Sequence, residues 1–383
     1  MSPHPPSDPT IQAISRWWQA FSEQADTIDA FFRQQEQFDL AGWMQQHLKR
    51  VHPDLMWEFG PAVNGPGHRL VITPESRREL RPLVRELLRQ APPLPGWEFY
   101  EYRLPDPPEL LRDVIAARTG EPCCDLVFRA EVGPFRRIDL KFASNLPVEQ
   151  GDLTLEQAFV ALESTLGEEI LDRWIGLIEL AEEQDPSTAP QRPLSQLKAV
   201  LDEEIAKLEE LLPESPLAEI VSDEGWTVLE LEPEPADEYP GQEDLLVGVT
   251  CMPEVWGNAL SRVPFDSTRY SRCGERFCYL KLDGSEGLEG SQFADRGEVE
   301  EALNAALQPA GFGCVIGGGT GLKYSYIELA LSDVRRAWNT IQSIGLVGQL
   351  PVRTWLLFHD SDLATQWYGL YDETPPPPLP VSE

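Results

Sequence analysis

Apolar residues recur along this chain at helical and at alternating spacings, and their succession predicts the same order of elements several times over. From Ile11 to Phe38 the spacing is helical, with Trp17, Trp18, Phe21, Ile28, Phe31 and Phe32 on one wide stripe. Such a one-sided aromatic helix is expected to cover its own first sheet; a partner-binding helix is the alternative. Leu40–Arg50 reads as a helix, Leu55–Phe59 and Arg69–Thr73 as strands joined by a turn at Asn64–Gly67. Leu80, Leu83, Val84, Leu87 and Leu88 then mark a helix starting or bending near Pro82, and Trp97–Arg103 a strand.

The order repeats. Glu109–Arg118 predicts a helix, Asp125–Glu131 and Arg137–Phe142 a hairpin, and Thr154 with Gln157 a capping box opening a helix before the strand Trp174–Leu180. A looser third stretch has a helix at Leu194–Leu212, strands at Trp226–Leu231 and Leu245–Cys251, a short helix at Pro253–Leu260 and a strand at Phe277–Leu282. The fourth has a helix at Glu298–Leu307 and strands at Phe312–Ile316 and Tyr324–Leu329. Ser332 can cap its next helix, which Gly345 stops before the strand Arg353–Phe358.

Helix-ββαβ units of this kind predict the α+β class: two domains, each a mainly antiparallel sheet with helices on one face. The boundaries read from the pattern are a tail and aromatic helix at 1–38, a first domain at 39–180, a linker at 181–193, a second domain at 194–372 and a Pro-rich tail at 373–383.

Composition narrows the function classes. Among 383 residues, 64 acidic side chains face 31 basic ones, a formal charge of −33. A field of that sign repels nucleic-acid phosphates and anionic membranes and attracts basic protein surfaces. No basic, apolar leader opens the chain and no stretch reaches the ~18 apolar residues of a membrane span, so the expected location is the cytoplasm. The six cysteines are irregularly spaced and predict no disulfide framework.

Candidate chemistry is sparse. Gly317, Gly318, Gly319, Thr320 and Gly321 form a Gly-rich run, but a phosphate loop needs Gly-Lys-Ser/Thr opening a helix, and this run precedes a strand. It reads as a flexible hairpin turn, with a ligand site at the run and at Tyr324 and Tyr326 as the alternative. Cys273 and Cys278 lack nearby partners for zinc, and Cys123-Cys124 reads as strand packing, so neither a metal nor a cofactor is expected. His359, beside Asp360 and Asp362, offers an acid–base pair but reads as an exposed loop residue.

The strongest signal outside the core is charge. From Glu179 to Asp244 stand twenty acidic and three basic residues, a net of −17, about half the total. Its last part carries Glu230, Glu232, Glu234, Asp237, Glu238 and Tyr239; the loop Pro233–Gly241 within it lies between two predicted strands, and an aromatic within an acidic loop is a plausible hot spot. The order of elements resembles GyrI-like small-molecule-binding modules, which implies a cleft between paired units. The acidic α+β character resembles immunity proteins of polymorphic toxin systems and related acidic bacterial proteins, which implies docking onto a basic protein partner. The expected function is therefore a non-catalytic acidic binding protein, an inhibitor, immunity-type protein or adaptor. The alternatives are a small-molecule sensor and an enzyme centred on Gly317–Gly321, Tyr324 and His359.

Overall fold

In the computed structural model, which describes residues 8–120, 126–144, 153–181, 190–220, 225–285 and 288–378, the aromatic stripe folds as helix α1 (Asp8–Phe32). Contacts divide the chain into two compact units, one of Pro5–Lys207 and one built on Leu208–Glu383.

In the first unit α1 is followed by α2 (Leu40–His47), β1 (Met56–Pro61), β2 (His68–Thr73), α3 (Arg81–Arg89) and β3 (Trp97–Tyr100). β2 pairs antiparallel with β1 and parallel with β3. Trp17, Trp18, Phe21 and Ile28 are buried in one core with Leu70, Ile72, Val84 and Leu87, so α1 covers its own sheet. The Trp18 indole N–H finds a partner at 2.7 Å in the Leu87 carbonyl near the end of α3, as a buried indole needs.

Next come α4 (Leu111–Thr119), β4 (Leu126–Val132), β5 (Ile138–Ser144), α5 (Leu155–Leu166), α6 (Glu168–Trp174), β6 (Ile175–Leu180), β7 (Arg192–Pro193) and α7 (Leu197–Glu210). β5 again pairs antiparallel with β4 and parallel with β6. The capping box forms as read: the Thr154 hydroxyl accepts from the Gln157 amide at 3.1 Å, and the Gln157 side chain accepts from the Thr154 amide. The short β7 pairs with β4, so the end of the segment read as a linker belongs to this sheet. Cys123 and Cys124 lie outside the described residues.

A buried ion pair fixes this unit. Glu168 at the start of α6 accepts from the Arg81 guanidinium at 2.7 Å, the Thr73 hydroxyl at 2.6 Å and the Arg103 amide at 2.9 Å. Arg81 is fully buried, and its guanidinium lies 3.9 Å from the Tyr102 ring centre.

The second unit contains α8 (Leu217–Ile220), β8 (Thr227–Glu230), β9 (Leu245–Thr250), α9 (Pro253–Leu260), β10 (Arg276–Asp283), α10 (Arg296–Leu307), β11 (Gly313–Gly321), β12 (Tyr324–Leu331), α11 (Val334–Gly348), β13 (Thr354–Phe358) and β14 (Trp367–Gly369). Its strands join one antiparallel sheet of order β14-β13-β10-β12-β11-β9-β8. The third and fourth stretches are thus merged rather than side by side, with β10 inserted between β12 and β13. β14 has no counterpart in the sequence reading. Two details of α11 also differ from it. Asp333 rather than Ser332 caps the helix, and Gly345 lies inside it, where a Cβ would come within 2.7 Å of a Leu370 methyl; the helix runs on to Gly348.

Together these elements make the chain α+β, with antiparallel pairing predominant. Breaking the Arg81–Glu168 pair leaves an uncompensated buried charge. Glu168→Ala is therefore expected to destabilise the first unit by about 3–5 kcal/mol in urea unfolding; a loss below ~1 kcal/mol would show that Arg81 finds solvent instead.

Candidate functional site

Strand alternation sends two different sets of side chains to the two faces of the second sheet. Cys278, Leu280, Leu282, Ile327, Leu329 and Leu356 face α10 and α11 in one apolar core. Tyr279, Lys281, Tyr324, Tyr326, Glu328 and Trp355 face the other way, and all are buried. A face this rich in polar groups needs matching partners, since each unpaired buried group costs about 1–3 kcal/mol. The partners come from α9 and from the acidic segment between β8 and β9, which folds across this face as a strap.

Asp244 at the end of the strap is fully buried. One carboxylate oxygen accepts from the Lys323 amide at 2.8 Å and the Tyr324 amide at 2.9 Å; the other accepts from the Tyr326 hydroxyl. The side chain thereby caps the turn between β11 and β12. Lys281 rises from the sheet to donate to the carbonyls of Tyr239 and Gly241, the latter at 2.8 Å, with its ammonium 4.1 Å from the Tyr324 ring centre. Burial lowers its pKa to about 8, with Asp244 and Glu238 opposing the shift. Glu238 accepts from Lys323 at 2.7 Å, the Tyr324 hydroxyl at 2.5 Å and Arg353 at 3.0 Å. Partial burial works against ionisation, yet these three donors bring its carboxyl down to about 2.

Two of the six residues read as a docking set are therefore tied to the unit itself, one buried and one paired at the surface. Tyr239 is buried rather than displayed, and its hydroxyl accepts from the Ala236 amide at 2.6 Å. Glu238 is engaged by the unit's own cations. Glu230, Glu232, Glu234 and Asp237 remain exposed and form no ion pair among the described residues.

The Gly-rich run is a strand, not a turn. Gly317, Gly318, Gly319 and Thr320 pair with β9 on one side and β12 on the other, so their amides are not free to cradle a phosphate. Its glycines permit close approach. A Cβ on Gly319 would meet Leu245 at 2.4 Å and the Trp256 ring at 3.2 Å, and one on Gly321 would lie 2.4 Å from an Asp244 carboxylate oxygen. Tyr324 and Tyr326 are buried by the strap.

His359 is buried rather than exposed. Its Nε2 lies 2.6 Å from Glu328, whose other oxygen accepts from Gln242; Asp360 turns away to Ser267 and Arg276. Burial raises the Asp360 carboxyl to about 6 despite Arg276. Cys278 points into the apolar core, whereas Cys273 is half-buried beside the Glu214 carbonyl. Among the described residues no group of three His, Cys, Asp or Glu side chains is placed to hold a metal, and no helix is long and apolar enough to cross a membrane.

The first unit has an open groove of about 400 Å³ lined by Arg85, Arg89, Tyr100, Tyr102 and Glu169 among others. Its two arginines are already matched by Glu101 at 3.1 Å and Glu86 at 2.5 Å. Compared with known proteins, the chain matches no protein-family model, no curated protein and no solved structure.

Two expectations follow for the strap. The Glu238 carboxyl titrates at about 2 in the fold against 4.5 ordinarily, so its charge supports the closed strap above pH 4.5 and that support is lost as the pH falls toward 2. Hydrogen exchange of residues 233–243, corrected for intrinsic rates, should accelerate across that window in the native chain and not in Glu238→Gln; identical profiles would remove Glu238 from the latch. Replacing Lys281 by Met leaves the Tyr239 carbonyl unpaired and the Gly241 carbonyl with only its 3.4 Å contact from the Tyr326 hydroxyl, and should destabilise the second unit by about 1–3 kcal/mol, read by urea-dependent hydrogen exchange in β10 and β12.

Proposed function

We propose that this chain is a non-catalytic binding protein that presents the outer acidic edge of its strap to a basic protein surface. The observation that carries this reading is a division of labour within one acidic segment. Tyr239 and Asp244 are buried and Glu238 is paired at the rim by Lys323 and Arg353, while Glu230, Glu232, Glu234 and Asp237 stay in solvent without ion pairs among the described residues, on a segment that Lys281, Lys323 and Arg353 hold at its far end. A fixed backbone lowers the entropy lost on binding, and four clustered carboxylates without internal partners attract and orient a cationic partner. An inhibitor, an immunity-type protein and an adaptor all use a surface of this kind, and a bacterial, cytoplasmic setting fits its acidity.

A small-molecule sensor is a second reading, favoured by the groove at Arg85 and Tyr102. Its paired arginines leave little uncompensated charge for an anionic ligand, so it ranks below the first. The enzyme reading loses its centre, since Tyr324 and His359 are buried in satisfied contacts.

The test is photo-cross-linking in a lysate of the native host adjusted to set salt concentrations. A cross-linker at position 234 should capture a basic protein, and one at position 373 should not. Capture should weaken about tenfold or more between ~0.05 and ~0.5 M salt, as screening requires. It should also vanish in the combined variant Glu230→Lys, Glu232→Lys, Glu234→Lys, Asp237→Lys with its circular dichroism unchanged. Capture insensitive to both salt and charge reversal would overturn the proposal.

A further inference from the structure

We infer that β8 is a receptor edge that accepts an extended basic segment of the partner as an added β-strand; this deepens the acidic-surface reading and rests on it. β8 is the terminal strand of the seven-stranded sheet, and no further strand pairs with it among the described residues. Its register against β9 runs from Thr227↔Thr250 to Glu230↔Val247, and the Leu231 amide donates to the Leu246 carbonyl at 2.8 Å. In an antiparallel ladder, pairs that exchange hydrogen bonds alternate with pairs that do not. With Leu231 bonded inward, Leu229 and Thr227 also bond inward, and the N–H and C=O groups of Val228 and Glu230 face outward.

Side chains reinforce that edge. On the face shared by Val228, Glu230 and Val247, Val228 is 59% exposed and Val247 40%. The edge thus offers the outward peptide groups of Val228 and Glu230, an apolar strip and the Glu230 carboxylate, with Glu232 two residues on, just past the end of β8. A strand laid along it meets Val228 and Glu230 on one face, two residues apart. The complementary segment carries an apolar residue and a Lys or Arg two positions from it, with a second basic residue two further on. Strand addition of this kind takes affinity from main-chain bonds and selectivity from alternate side chains. A second copy of this chain is a poor occupant, because pairing two such edges brings acidic rows together on a protein of charge −33.

The probe is a fluorescein-labelled peptide Val-Thr-Lys-Thr-Lys-Thr, compared with Val-Lys-Thr-Lys-Thr-Thr, which has the same composition but places Val and Lys on opposite faces. Fluorescence anisotropy with the full chain at low salt should show the first peptide bound at least about tenfold more tightly. Val228→Pro removes one outward N–H at an edge position that tolerates proline, and should weaken the first peptide about tenfold or more, as should Glu230→Lys. Glu373→Lys, beyond the strand at the opposite edge, should leave it unchanged. As a check that does not require the proline variant to fold, the amides of Val228 and Glu230 should gain hydrogen-exchange protection when the first peptide is added. Equal affinity for both peptides, with no new protection and with Glu230→Lys still harmful, would overturn strand addition while sparing the acidic-surface reading. Indifference to Glu230→Lys and to the combined charge reversal would overturn both. Concentration-dependent dimers in sedimentation, lost in Val228→Pro, would make a second copy the occupant and overturn the basic-segment proposal.

Discussion

The Asp244 carboxylate, buried beneath the turn that joins β11 to β12, is the contact on which the second unit's organisation hangs. Two backbone amides and a tyrosine hydroxyl converge on it. A buried carboxylate is tolerated out of water only when donors engage its oxygens. This one closes the turn, sets where the strap ends and requires a glycine at position 321. Lys281 then answers the strap's carbonyls from the sheet side, and Glu238 answers the cations at its rim. The acidic segment is therefore built into the sheet at one end and left open to water along its middle.

That arrangement connects fold to function through electrostatics. A flexible acidic loop would attract cations but lose much of the gain to ordering. Here ordering is completed by folding, and the free carboxylates at Glu230, Glu232 and Glu234 continue the line of an exposed strand edge. Edge strands are usually blunted by charge, shortness or cover to prevent unwanted pairing. β8 is short and carries charge of one sign, which discourages pairing with its own kind and is the basis on which a basic strand is proposed as its occupant.

The first unit solves a related problem differently. Its polar centre is the Arg81–Glu168 pair, which ties β2 and α3 to α6 and leaves one of the carboxylate's oxygens to an amide of the chain after β3. α1 seals the opposite, apolar side with its tryptophans. The remaining groove at Arg85 and Arg89 is charge-balanced by neighbouring glutamates, which is why it carries less weight than the acidic edge.

Local patterns in the chain were enough to place most helices and strands, the Thr154 capping box, α1 as a cover and the concentration of acid before Asp244. These depend on periodicity and nearest neighbours, which a linear reading contains. Contacts between distant residues were beyond it. Asp244 meets amides some 80 positions away, and Glu168 meets an arginine 87 positions back. The Gly-rich run reads as a turn because glycines carry no side-chain period; that it is a strand depends on Trp256, Leu245 and Asp244 needing the space. Tyr239 and His359 look exposed in polar surroundings, but the sheet face opposite them supplies Lys281 and Glu328, and burial follows from that pairing. Composition fixed how much negative charge the protein carries. Which carboxylates are paired within the unit and which stay in water was settled only when the strap closed over the sheet, because that choice depends on where Lys281, Lys323 and Arg353 come to stand.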